Sequence, residues 1–254
     1  MNCLVNKLVI VLLTMISMTH SAGTMASVII PATRIIYPGD LNEKSIQLTN
    51  QDDAPSVMQI WVDSGNTEST PETADAPFIV TPPVFRIEPK SGHAVRLVLT
   101  DNQLPQDRES VFYLNTLQIP AISSDHADQN QMLVMLRNRL KLFYRPAGLQ
   151  GSAPAAVESL EFVIRQQQAA DGYEVVVRNP SNFHVSLIES EVNCAADKAP
   201  FDADMVAPKS ESVWPLQGKC TPGAGSQKLT VRYVDDHGAM REMQRDVAVG
   251  QGRE

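Results

Sequence analysis

The sequence predicts an all-β protein built from two β-sandwich domains, and three observations lead to this prediction. Helical periodicity is scarce along the 254 residues, while short runs that alternate apolar and polar residues recur throughout. Turn signals such as Pro38-Gly39 and Asn179-Pro180 separate these runs. A break in the pattern at 145–154, rich in small residues, divides the chain into two parts of similar length. Many short strands with this punctuation indicate sandwiches rather than a parallel α/β sheet.

The alternating runs are the predicted strands, and each part of the chain has the length of an immunoglobulin-like domain. Before the break the runs lie at 27–30, 45–49, 56–62, 94–99, 111–119 and 132–143. After the break they lie at 161–165, 173–178, 184–189, 211–215, 228–233 and 242–248. The polar stretch 64–76, rich in Thr, Glu and Asp, predicts a long surface loop in the first domain.

Residues 1–26 are typical of a secretory signal peptide. Lys7 supplies the positive end, residues 8–16 form an apolar segment, and Thr24-Met25-Ala26 offers small residues where a signal peptidase cuts. The apolar segment is short for a membrane span, so a cleavable signal is favoured over an uncleaved anchor. The predicted organisation is therefore a signal at 1–26, a first domain at 27–148 and a second domain at 149–254.

Two cysteines remain once Cys3 leaves with the signal. Cys194 and Cys220 are predicted to form a disulfide, because an exported chain enters an oxidising compartment. Neither a CxxC motif nor a histidine cluster accompanies them, which argues against a metal site.

Several function classes are disfavoured by the residues alone. The histidines are scattered without zinc-ligand spacing, and neither a GxSxG elbow nor a phosphate-binding loop is present. We therefore expect no catalysis, no metal and no cofactor. The net charge of −8 argues against nucleic acid and anionic membrane surfaces as partners, and membrane insertion is not expected.

The run from 132 to 145 has an unusual pattern. It is apolar on both faces at its start and then carries four cations: Arg137, Arg139, Lys141 and Arg145. A strand with two apolar faces needs a second cover, and at a sheet edge that cover can be a strand of another protein. The cations suggest that this partner is negatively charged. The alternative is a central strand buried between two layers.

Four motifs resemble the signature of the periplasmic chaperones of the chaperone–usher pilus pathway. They are Thr-Arg-Ile-Ile-Tyr-Pro-Gly at 33–39, Thr-Pro-Pro-Val-Phe-Arg at 81–86, Leu-Pro-Gln-Asp-Arg-Glu-Ser-Val-Phe-Tyr-Leu-Asn at 104–115 followed by Ile-Pro-Ala at 119–121, and Lys-Leu-Phe-Tyr-Arg-Pro at 141–146. They occur in order and cover nearly the whole chain after the signal. Thr116 departs from the pattern, which usually has an aliphatic residue there.

This resemblance implies two immunoglobulin-like domains set at an angle, with a cleft between them. It also implies a periplasmic chaperone that binds pilus subunits lacking their last strand and delivers them to an outer-membrane usher. The donor side chains would be Met132, Val134 and Leu136. Arg34 and Lys141 would anchor the C-terminal carboxylate of the subunit. Strict alternation puts Lys141 on the opposite face from Met132, so a bulge, a twist or the long lysine stem must bring it to the cleft.

Further residues follow from the same resemblance. Glu109, Arg145 and Asp236 match a family ion-pair set that fixes the angle between the domains. The loop 122–131 is short, which resembles the branch of the family that serves rod-shaped pili.

Other interpretations remain open at this stage. Arg34 could be a surface cation beside a turn, and the donor side chains could be core residues of their own domain. A secreted adhesin or structural pilus component with the same sandwich is the alternative function. A carbohydrate- or peptide-binding sandwich is a second rival, but Trp61 and Trp214 lie in strand-like runs where core packing is favoured.

Overall fold

The chain folds into two β-sandwiches, so the predicted all-β, two-domain fold is confirmed. This computed structural model describes residues 28–100, 103–121, 132–167, 172–194, 198–218 and 225–250. The predicted signal, the loop 122–131 and Cys220 lie outside the described residues. Within these ranges, the structure contains no helix with the length and apolar character needed to cross a membrane.

The first domain contains strands β1 to β9. In chain order these are β1 Val28–Ile29, β2 Arg34–Pro38, β3 Lys44–Asn50, β4 Ser56–Asp63, β5 Phe78–Thr81, β6 Val84–Ile87, β7 Gly92–Leu99, β8 Ser110–Pro120 and β9 Leu136–Arg145. One sheet has the order β1-β3-β7-β5 and the other the order β2-β9-β8-β4-β6.

Alternation along the strands builds the core of this domain. In β3, Ile46 and Leu48 are buried between the sheets while Ser45 and Gln47 face solvent. Trp61 is also buried, as predicted, and its indole Nε1 donates a hydrogen bond to Ser69 Oγ at 3.0 Å. The described stretch between β4 and β5 contains no strand, in agreement with the predicted loop 64–76. The bond from Trp61 anchors this loop through the buried Ser69.

Strand β9 has different neighbours along its length. It pairs antiparallel with β8 from Leu136 to Tyr144, and parallel with β2 only over residues 141–145. Residues 136–140 therefore have a described strand on one side only. The cleft between the domains lies next to the part of β9 that both neighbours cover.

The described residues of the second domain form a short helix and strands β10 to β18. In chain order these are α1 Ala153–Glu158, β10 Glu161–Gln166, β11 Tyr173–Asn179, β12 Val185–Leu187, β13 Ser190–Asn193, β14 Lys198–Phe201, β15 Met205–Val206, β16 Ser210–Pro215, β17 Ser226–Val234 and β18 Met240–Gly250. Strand β18 pairs antiparallel with β17 and, at its end, parallel with β10. It thereby joins the two halves of the sandwich around a separate core that includes Ile164 and Val231.

The structure differs from the sequence prediction in several elements. β2, β5, β6, β13, β14 and β15 were not predicted as strands, because each has only two to five residues, too few for alternation to be recognised. β2 also depends on a distant partner, β9. The run 184–189 contains β12 alone, and β13 begins directly after it. Helix α1 begins at the end of the predicted break and continues past it; Ser152 caps it and Pro154 fits its first turn.

Candidate partner-binding site

A cleft between the two domains contains a cavity of about 310 Å³. Arg34 and Phe143 line it from the first domain, and Ser186, Tyr233 and Asp236 line it from the second. The cavity lining combines arginines, carboxylates and an apolar wall, and Arg34 is the group on the first-domain side that could bind the anionic end of a ligand.

Arg34 reaches across the cleft to the second domain. Its NH1 donates to the carbonyl oxygen of Val234 at 2.9 Å and to Ser186 Oγ at 3.2 Å. Its Nε is buried and has no hydrogen-bond partner among the described residues. Burial lowers the pKa of Arg34, and the charges of Asp236 and Asp235 act in the opposite direction. The guanidinium is thus held in place with donor capacity left unused, which is unfavourable for a buried polar group unless an acceptor arrives.

Lys141 is the direct register partner of Arg34 in the parallel pair β2–β9. Neighbouring strands lie about 4.8 Å apart, so both side chains leave the same face of the sheet close to each other. Lys141 Nζ lies 3.5 Å from Asp204 Oδ1, a long contact to a largely exposed carboxylate. The two predicted anchor residues are therefore adjacent in space.

The position of Lys141 requires no bulge. The pairing of β9 with β8 and with β2 advances one residue at a time across the described strand. Leu140, Leu142 and Tyr144 are buried towards the first domain, whereas Lys141 and Phe143 point towards the second. The cationic face and the core-facing side of β9 are the two faces of one regular strand.

The predicted donor side chains are exposed. Met132 is 92%, Val134 69% and Leu136 44% accessible to solvent, and the intervening Leu133 and Met135 are exposed too. Leu136 begins β9, while residues 132–135 precede it without a described strand partner. The predicted strand 132–143 thus begins four residues later than expected, and its apolar start lies outside the core of its own domain.

The neighbouring cations are already engaged within the chain. Arg139 NH2 donates to Asp63 Oδ1 at 2.6 Å, and Arg137 NH2 donates to Asn115 Oδ1 at 2.8 Å. This differs from the prediction that the cations of this run face a negatively charged partner. The local sequence could not indicate these acceptors, because they lie on β4 and β8.

The predicted ion-pair residues come together between the domains. Arg145 Nε lies 2.7 Å from Glu109 Oε1, and Arg145 NH1 lies 2.9 Å from Asp236 Oδ2. Glu109 is 3% exposed, and its Oε2 also accepts a hydrogen bond from the backbone N–H of His184 at 2.8 Å. Burial by itself lowers the pKa of Arg145, but hydrogen bonds to Asp236 and the charge of Glu109 outweigh it, and the pKa is raised.

Two other sequence predictions concern cysteine and metal. Cys194 is disulfide-bonded, and the predicted partner Cys220 lies outside the described residues. Across the described ranges, His, Cys, Asp and Glu do not gather in groups of three or more that could hold a metal ion.

Sequence reasoning missed several residues of the cleft. The Val234 carbonyl and Ser186 hold Arg34, and the backbone of His184 contacts Glu109. Backbone groups leave no trace in residue type. The available signal was the turn sequence Asp235-Asp236-His237-Gly238, which places Val234 at the end of a hairpin strand.

The fold and cleft define a two-domain β-sandwich protein with a site between its domains that combines charged and apolar side chains. Two protein families match the chain, one in each domain. Residues 27–150 match the family described as "Pili and flagellar-assembly chaperone, PapD N-terminal domain". Residues 155–245 match the family described as "Pili assembly chaperone PapD, C-terminal domain". The chain therefore belongs to the family of pilus (fimbrial) assembly chaperones.

Individual relatives agree with this assignment. The chaperone protein MrkB of Klebsiella pneumoniae is 36% identical over 227 residues, covering 88% of this chain and 90% of MrkB. The probable fimbrial chaperone YadV of Escherichia coli (strain K12) is 33% identical over 228 residues, covering 89% and 92%. The crystal structure of the YadV chaperone aligns with a TM-score of 0.72 at 31% identity, covering 87% of this chain and 100% of that one.

A more distant structure has the same fold. The complex of Salmonella enterica SafA pilin with the SafB chaperone contains a chain that aligns with a TM-score of 0.70 at 22% identity. The alignment covers 89% of this chain and 99% of that chain.

Proposed function

We propose that this protein is a periplasmic chaperone that binds a pilus subunit by lending it the strand that begins at Met132. Met132, Val134 and Leu136 would fill the groove of the incomplete subunit. Arg34 and Lys141 would bind its C-terminal carboxylate. The chaperone then delivers the subunit to an outer-membrane usher, and none of these steps requires catalysis.

One observation carries this proposal: a run of exposed apolar side chains continues a strand that, over 136–140, has a described neighbour on one side only. An exposed apolar strand of this kind favours aggregation unless a partner covers it. Each donor side chain that becomes fully buried contributes about 1.5–3 kcal/mol before ordering costs are subtracted. On the side away from β8, the backbone groups of 136–140 have no strand partner among the described residues and can fix the register of an added strand.

The cleft supports a carboxylate as the group that ends the bound strand. The unpaired Nε of Arg34 is buried beside the cavity, and Lys141 is its neighbour in register. A guanidinium fork can hold both oxygens of a carboxylate, and an adjacent ammonium adds charge. The structure of SafB was obtained with a pilin, which supports a pilus subunit as the class of partner.

The first test concerns Lys141. We expect Lys141→Met to leave the fold intact, because its only described ion pair is long and reaches an exposed carboxylate. Loss of one charge from a desolvated set costs about 2–5 kcal/mol of binding. The measurement is the amount of pilus subunit that co-purifies with the tagged chain from periplasm, quantified by mass spectrometry.

The matched control is Lys228→Met, which removes a lysine from an exposed position of β17. It should retain the subunit at the level of the unchanged protein. Equal retention by Lys141→Met and Lys228→Met would contradict the anchor role. Absence of any subunit from the unchanged protein would contradict the proposed function itself.

A further inference from the structure

A buried polar cluster lies on the face of the first domain opposite its core, beneath the first half of β9. Its centre is Asp63, the last residue of β4, which is 0% exposed. Asp63 Oδ1 accepts hydrogen bonds from Arg139 NH2 at 2.6 Å and from the backbone N–H of Gly65 at 2.8 Å. Asp63 Oδ2 accepts from Asn115 Nδ2 at 2.6 Å and from Ser69 Oγ at 2.9 Å.

These bonds keep the carboxylate charged despite its burial. Burial raises the pKa of Asp63, but the hydrogen bonds from Arg139, Asn115, Gly65 and Ser69 outweigh it and lower the pKa to about 2. The buried carboxylate of Asp63 therefore holds its donors in place, because displacing any of them removes a hydrogen bond from a buried charge.

The cluster contacts β9 through two side chains on the same face of the strand, those of Arg137 and Arg139. Arg139 is bonded to Asp63 and also lies over the ring of Tyr113, with 3.6 Å from its guanidinium carbon to the ring centroid. Arg137 reaches the cluster through Asn115 and lies 5.0 Å from the centroid of Trp61. Both arginines point away from the face that carries Leu136 and Leu140.

This half of β9 is the part that lacks support from β2. Among the described strands its backbone pairs with β8 alone, and pairing with β2 begins at Lys141. A strand held by one neighbour opens more readily, and binding must then order it. The cluster supplies, through side chains, the restraint that the second neighbour does not supply.

We propose that Asp63 is a positioning residue that holds residues 136–140 of β9 in register before a partner arrives. The apolar side chains on the opposite face are thereby presented as a preformed strand. The consequence for subunit capture rests on the function proposed above, whereas the ordering of the strand does not.

The test is Asp63→Asn in the full chain. The amide still accepts hydrogen bonds but lacks the charge that holds Arg139. We expect backbone amide exchange in residues 136–140 to accelerate about tenfold or more, with the exchange of β3, β7 and the second domain unchanged. Trypsin should cleave faster after Arg137 and Arg139 for the same reason. A general structural role would instead accelerate exchange throughout the first domain.

Two further variants keep the test decisive. Arg137→Met removes the bond from β9 to Asn115 while leaving Asp63 bonded to Arg139, and it should accelerate exchange in 136–140 to a smaller extent. If Asp63→Asn does not fold, Arg137→Met tests the ordering of the strand by itself. Glu43→Gln removes the carboxylate of an exposed arginine pair with Arg96 in the same domain and should change nothing.

Capture of the subunit that co-purifies with the unchanged protein should weaken about tenfold or more in Asp63→Asn. Unchanged exchange at 136–140 in both Asp63→Asn and Arg137→Met would overturn the proposal. Faster exchange with unchanged capture would overturn the positioning role in binding. The exchange experiment needs no subunit, so it decides the ordering of the strand even if the unchanged protein captures none.

Discussion

At the scale of single residues, Gly238 determines how closely the second domain can approach Arg34. It has a φ of +81°, and an added Cβ would overlap Thr33 Oγ1. The same hairpin turn supplies the Val234 carbonyl that holds Arg34, and Asp235 Oδ1 accepts hydrogen bonds from the turn backbone at His237 and Ala239. A glycine at the tip lets this turn lie directly against the start of β2.

Gly238→Ala therefore tests a close approach between domains. A non-glycine residue at positive φ costs about 1–3 kcal/mol, and the overlap with Thr33 adds to it. Gly218→Ala is a matched control, since Gly218 also has a φ of +81° but an added Cβ there would meet none of the described residues within 4 Å. We expect chemical denaturation to show a larger loss for Gly238→Ala. Equal losses would mean that the contact with Thr33 carries no free energy.

At the scale of elements, β9 shows which features of a strand the sequence can predict and which it cannot. Alternation predicted a strand over 132–143, and the exposure of the side chains at 132–136 is consistent with the expectation that its doubly apolar start needs a further cover. Alternation could not locate the first residue of the strand, because that depends on where β8 offers a partner. β2 was missed for the same reason: its pairing partner lies about a hundred residues later, at 141–145.

The donor segment can be tested without disturbing the fold. Val134 is 69% exposed, so Val134→Lys should leave the melting temperature unchanged. Capture should weaken by about 1.5–3 kcal/mol, the value of one buried aliphatic side chain, or roughly ten- to a hundredfold in Kd. Titration with the co-purifying subunit measures this. Ile79→Lys, at an exposed position of β5, serves as control and should bind normally; a similar loss there would argue against a specific donor position.

At the scale of the whole molecule, a set of three charges centred on the buried Glu109 links two separate cores. The two hydrophobic clusters lie on either side of the connection, and Arg145 joins Glu109 of the first domain to Asp236 of the second. Local physics could not predict this set, because its members are far apart in sequence and each has the appearance of an ordinary surface charge. The family resemblance grouped them, and the distances are consistent with that grouping.

The free energy of this link can be separated from that of exposed charges. Arg145→Met would leave Glu109 buried without its cation, which costs about 3–5 kcal/mol. Because this loss falls on the contact between domains, calorimetry should show one unfolding transition for the unchanged protein and two for Arg145→Met. Lys209→Met is the control: its pair with Asp107 also crosses between the domains but is exposed, at 3.3 Å, and should contribute at most about 1 kcal/mol. The double variant Glu109→Gln with Arg145→Met should recover part of the loss, since no unpaired charge remains buried. Suppose instead that Arg145→Met lowers the free energy of unfolding no more than Lys209→Met does. The domains would then be held together by their other contacts, and the angle of the cleft would not depend on Glu109, Arg145 and Asp236.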